Sequence, residues 1–284
     1  MALESETCHQ RLRRAARRER RLCSGTRTSM STFRFVIVPR RPTPERSLSG
    51  EPGPNSARDL MNTGFESELH LVKAILASVR RARRPDYRVE LEVDAGVGIA
   101  DVVLAKRTPR STKALRALAC VNPRLAVLLS NEVSSKVASR ADLANCLGTS
   151  ENGAQRVIAQ LMAAGLASGT PQSLTICTVR TLPFERIIAV EAKLSEWQRV
   201  LVQGYRNLQF ADESWVVLDH AYVKPALAKL ERFRSTGVGL ASVDRLSNGV
   251  TIHLSAASLG PVSLTKKWQA QAVLAARAVS RDRR

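Results

Sequence analysis

Strand-type patterning falls in two blocks of this chain, with a long helical stretch between them. Tyr87-Arg88-Val89-Glu90-Leu91-Glu92-Val93 alternates with period two, the pattern of a strand with one covered face. Asp94 to Gly98 is a turn, and Ile99-Ala100-Asp101-Val102-Val103-Leu104 follows as a nearly continuous apolar strand. Residues 111–182 break this pattern and turn helical. Strand patterning then returns at Ile187-Ile188-Ala189-Val190-Glu191-Ala192-Lys193-Leu194, at Trp215–Leu218, and at the late pair Val238–Val243 and Gly249–Leu254. Helices are expected from Ser195 to about Phe210 and from Pro225 to Phe233, with a basic helical tail over 266–284. The alternation predicts an α/β protein whose sheet is interrupted in sequence by a helical insertion.

At 284 residues with 44% apolar content the chain can bury a sizeable core. No apolar run approaches the roughly 18 residues of a membrane span, and no secretory h-region follows the basic N-terminus, so a cytoplasmic protein is expected. Five scattered cysteines, Cys8, Cys23, Cys120, Cys146 and Cys177, form no CxxC pair, which argues against a disulfide scaffold or a structural zinc site. Charge is the strongest compositional signal. Residues 1–60 carry 13 Lys+Arg against 6 Asp+Glu, and residues 61–284 carry 31 against 19. The excess therefore belongs to the folded part as well as to the N-terminal stretch. A basic surface attracts polyanions, and nucleic acid is the commonest one. The Arg-rich run 11–21 and the Pro/Ser/Gly/Thr-rich run 39–56 read as disordered, with only Phe33–Val38 resembling a strand fragment. Met61 opens a clean helical pattern and is a candidate start of translation.

Residues 64–84 read as an amphipathic helix with Phe65, Leu69, Val72, Ile75, Leu76 and Val79 on one stripe. Glu68 falls roughly 40° from the middle of that stripe and Glu66 about 120° away. A carboxylate bordering the core needs a partner or a cation. In the insertion, Asn122 to Ser130 is one helix, Ser139 to Leu147 a second with Ser139 as N-cap, and Glu151 to Ala164 a third. Gly148-Thr149-Ser150 turns between the last two, and Ser173 to Val179 is a strand. This order resembles a winged helix, carried by Leu143-Ala144, Gly148, Ser150, Val157, Leu161 and Gly165-Leu166; an ordinary helical hairpin is the alternative. The resemblance implies that the third helix lies in the major groove, with Asn152, Gln155, Arg156 and Gln160 facing bases or phosphates.

Asp101 stands inside an otherwise apolar strand, where an unpaired buried carboxylate costs several kcal/mol. Glu191 and Lys193 end the most apolar strand, and as residues i and i+2 they project to one face. Glu191-Ala192-Lys193 is the only acidic-x-Lys tripeptide in the chain. If the two strands pair, Asp101 stands beside Glu191 and the carboxylates can hold Mg²⁺ or Mn²⁺. A surface Glu and Lys at a strand end is the bland alternative.

These residues resemble the PD-(D/E)xK nuclease superfamily, the restriction-endonuclease-like fold, over residues 61–104 and 185–255. The resemblance implies an αβββαβ core with the winged helix inserted before the Glu-x-Lys strand. It assigns Asp101 and Glu191 as metal ligands, Lys193 as catalytic lysine and Glu68 as the acid that some members carry on the first helix. It also places Gln203 and Tyr205 near the nucleic acid. Ala100-Asp101 replaces the nominal Pro-Asp, and Gln203-Gly204-Tyr205 is tighter than the usual Gln-x-x-x-Tyr. The expected organisation is a basic extension over 1–60, core over 61–110 and 184–265, the insertion over 111–183, and the tail over 266–284. The expected function is Mg²⁺-dependent DNA endonuclease, with a DNA-binding transcriptional regulator on a degenerate core as the alternative. A second copy of the chain is an open partner.

Overall fold

A computed structural model describes residues 64–82 and 85–282. The basic stretch 1–60, its strand fragment and Met61 lie outside these described residues. Within them a six-stranded mixed sheet forms the centre, in the order β1-β2-β5-β6-β7-β8. Its strands are β1 (Tyr87–Asp94), β2 (Ile99–Arg107), β5 (Phe184–Lys193), β6 (Glu213–Asp219), β7 (Gly239–Val243) and β8 (Val250–Leu254). β1, β2 and β5 run antiparallel in turn, β5, β6 and β7 are parallel, and β8 returns antiparallel to β7. The fold is α/β, as the alternating pattern requires. β5 and β6 are buried along nearly their whole length, which matches their near-continuous apolar sequences. No helix among the described residues is long and apolar enough to cross a membrane.

Helix α1 (Glu68–Arg81) packs against β5 and β7. Its buried stripe is Leu71, Ala74, Ile75 and Val79; Ile75 and Val79 were expected there, but Leu71 and Ala74 replace Leu69, Val72 and Leu76, and Leu69 is 61% exposed. The helix starts later than the pattern suggested. Ser67 caps it, its Oγ accepting from the His70 amide, so Phe65 lies ahead of the helix. Phe65 is instead tied to the sheet through its N–H, which donates to the fully buried Asp219. Glu68 lies three and seven residues ahead of Leu71 and Ile75 at the first turn of the helix, but its side chain is 47% exposed and does not border the core as expected.

Between β2 and β5 the chain leaves and re-enters at neighbouring residues: the Thr108 amide donates to the Pro183 carbonyl at 2.9 Å. The intervening segment holds α2 (Thr112–Cys120), a 3₁₀ helix (Pro123–Leu129), the single turn α3 (Asn131–Ser134), α4 (Arg140–Leu147), α5 (Glu151–Ala163) and a hairpin of β3 (Ala167–Gly169) and β4 (Leu174–Ile176). The helix expected at Asn122–Ser130 is thus 3₁₀ and follows a separate α-helix. Ser139 caps α4 and Ser150 caps α5, each oxygen accepting the amide three residues on. Gly148 ends α4 at φ 60°, a left-handed conformation that a side chain would strain.

This segment shares its core with the sheet. Leu118, Leu128, Leu143, Ile158 and Leu161 form one continuous apolar cluster with Val103, Ala105, Ile187 and Ala189 of the sheet and with Trp268, Leu274 and Ala275. The last three belong to α9 (Leu264–Asp282), which packs on α2, the 3₁₀ helix and β1. Residues 266–284 were expected as a basic tail; the helix is there, but its Ala-rich face is buried and its arginines grip β1. Fully buried Glu90 is paired with Arg88 at 2.8 Å and with Arg281 at 3.0 Å.

The second cluster lies under α6 (Trp197–Asn207), α7 (Lys224–Leu227) and α8 (Leu230–Thr236). There Val200, Leu201 and Phe233 meet Val216, Leu218 and Leu240. Gly204 allows α6 to approach the sheet closely: a Cβ there would lie 3.1 Å from Val238 Cγ1 and 3.2 Å from Val216 Cγ2.

Candidate active site

The β2–β5 ladder runs in a register that pairs Val102 with Val190 and Val103 with Ala189. One step further along both strands, Asp101 comes opposite Glu191 on the same face, although the two are 90 residues apart in the chain. The ladder does not continue with backbone bonds at this step. Instead the Ala192 amide donates to Asp101 Oδ2 at 2.8 Å, so the side chain takes the place of a strand carbonyl.

Glu191 is 2% exposed. Its Oε1 accepts from Asn207 Nδ2 at 2.6 Å, the last residue of α6. Burial pushes its carboxyl from near 4.5 up to about 7, against the opposing pull of the Asn207 hydrogen bond. Asp101 raises it further, by its charge and by a hydrogen bond to the protonated form, while Lys193 lowers it. Asp101 is likewise raised, first by burial, against the Ala192 amide and Lys193, with Glu68 and Glu92 adding repulsion. Two carboxylates with raised pKa values in one pocket form a place that favours a proton or a cation.

Lys193 leaves the same strand face as Glu191, and its ammonium is paired with Glu68 at the start of α1. Asp101, Glu191, Lys193 and Glu68 therefore meet in one electrostatic cluster at the end of β5. Gln203 lies one helical turn from Asn207, and its Oε1 is buried without a hydrogen-bond partner. Tyr205 is not brought in. It stands about 200° round α6 from Gln203 and is 53% exposed. Asn152, Gln155, Arg156 and Gln160 are all exposed on α5.

Two residues of the cluster escaped the sequence reading. Asn207 carries no motif and shows itself only through its bond to Glu191. Glu92 interrupts β1 at φ 50°, a strained value for a non-glycine residue. Arg277 holds that kink by donating to the Leu91 and Glu92 carbonyls.

Among the described residues no group of three or more His, Cys, Asp or Glu side chains is gathered to hold a metal ion. Mg²⁺ is usually held through one or two carboxylates, with waters and substrate phosphates completing its shell. Asp101 and Glu191 offer such a pair, each with one oxygen anchored by an N–H donor. The donor set, hard oxygens only, suits Mg²⁺ or Mn²⁺. The chain matches no family model, no curated protein and no solved structure.

Proposed function

We propose that the chain is a Mg²⁺- or Mn²⁺-dependent DNA endonuclease with a restriction-endonuclease-like core and a winged helix-turn-helix inserted over 111–183. The observation that carries the reading is the placing of Asp101 opposite Glu191 with Lys193 two residues on. The helix–turn–helix and hairpin of α4, α5, β3 and β4, and the exposed polar face of α5, support duplex binding.

In this reading Asp101 and Glu191 would hold the cation. Bound there, it would draw charge from a scissile phosphate and acidify a water. Lys193 orients the attacking water and stabilises negative charge that builds on the phosphoryl oxygens. Glu68 holds the lysine between turnovers and fixes its direction. Gln203, one helical turn from Asn207, carries a buried Oε1 without a hydrogen-bond partner. The basic surface and α5 hold the duplex.

The test is incubation of the full chain with plasmid DNA and Mg²⁺ or Mn²⁺. Nicking or linearisation is expected, and Glu191→Ala or Lys193→Ala should lower it by at least ~100-fold. Undiminished cutting by both variants refutes the assignment. A mobility shift without cutting under either metal selects a DNA-binding regulator, and no binding at low salt selects a protein-interaction module. One centre per chain cuts one strand at a time, so linearisation at a single site would also call for a second copy.

A further inference from the structure

Asn207 sits at the end of an α6 stripe that is otherwise apolar: Trp197, Val200, Leu201 and Gly204 are its other buried residues. A buried amide costs free energy unless its groups are used, and this one donates to Glu191 over 2.6 Å, with both residues 2% exposed. A leucine would fill similar space without that demand. The close approach at Gly204 brings the end of α6 within reach of β5.

The bond has a geometric consequence. A carboxylate at the end of a glutamate can rotate about its last torsion, exchanging its oxygens. With Oε1 held by Asn207, the plane of the carboxylate is restrained and Oε2 is turned away from the amide. Asp101 is restrained in the same manner by the Ala192 amide. Each of the two carboxylates is thus anchored through one oxygen.

Resting on the metal-site reading above, we propose that Asn207 is a positioning residue that orients Glu191 toward a divalent cation. Outer partners of metal-binding carboxylates typically change affinity 10- to 100-fold when removed. The experiment is titration of the full chain with Mn²⁺ at pH 8.5, followed by calorimetry or by loss of the free-ion electron paramagnetic resonance signal. Wild type, Asn207→Ala and Glu191→Ala are compared, with circular dichroism confirming the fold.

Asn207→Ala should bind Mn²⁺ about 10- to 100-fold more weakly, and its cutting should recover at saturating Mn²⁺. A purely structural amide would leave Mn²⁺ affinity unchanged in the folded variant, and that result overturns the proposal. If Asn207→Ala does not fold, Asn207→Leu, which fills similar space without a donor, is read by the same criterion. Wild type that binds Mn²⁺ but cuts no DNA removes the nuclease reading and leaves the Asn207 role standing on the affinities. Wild type that binds no Mn²⁺ removes both.

Discussion

Replacing Glu191 by Gln should stabilise the protein at alkaline pH while abolishing its proposed chemistry. Burial and the neighbouring Asp101 raise the Glu191 carboxyl from near 4.5 to about 7. The folded chain therefore holds a proton there that the unfolded chain has already released. Stability from this proton is complete below about pH 4.5 and is lost as pH rises through about 7. Above that, ionised Glu191 costs about 3 kcal/mol, at about 1.36 kcal/mol per pH unit of displacement. Glutamine mimics the protonated acid: its carbonyl can accept from Asn207 and its amide can donate to Asp101. Urea unfolding in EDTA at pH 4 and pH 8.5 measures the effect. The stability difference between Glu191→Gln and wild type should grow in favour of the variant by about 3 kcal/mol across that range, Asp101 and Glu191 titrating as a pair. A difference that stays constant, or that turns against the variant at pH 8.5, refutes the claim that this carboxylate is ionised at a cost to the fold.

Three further outcomes are expected. At sub-saturating Mg²⁺, cutting should rise through pH 7, since a proton on Glu191 competes with the cation; a flat profile from pH 6 to 8 at that concentration contradicts the role. Arg156→Ala, on the exposed face of α5, should weaken duplex binding and reduce the slope of log K against log salt by about 1; an unchanged slope removes α5 as the docking helix. Glu90→Gln weakens the pairing of fully buried Glu90 with the part-exposed Arg88 and Arg281 and should lower unfolding stability by about 1–3 kcal/mol; chemical denaturation that finds no loss removes this clamp as the anchor of α9.

The strands of the large sheet were legible because their apolar runs are long and their period is two. The meeting of Asp101 with Glu191 followed from one anomaly, a charge inside an apolar strand. Elements without such a signal were not legible. Ala167-Ser168-Gly169 has no strand propensity and pairs only because β4 lies beside it. In α9 alanines form the buried face, so the sequence looked like a polar tail between its arginines. The phase of α1 depended on which residues reach the sheet, and Leu69 and Leu71 are equally apolar. His220 and His253 share no sequence spacing, yet both bond to Ser242 Oγ, at 2.9 and 2.8 Å, because the 3₁₀ turn after β6 and strand β8 flank β7 in the fold. Trp197 and Trp215 are both buried.

The uninterrupted apolar cluster from α5 through α9 to β2 and β5 makes the insertion and the strand ends one rigid body. No hinge of solvated linker separates them. If α5 seats in a groove of DNA, the carboxylates are carried to a set height along the duplex, as the jaw of a caliper follows its beam. Scission would then fall at a constant offset in base pairs from the docked helix, whatever the intervening sequence.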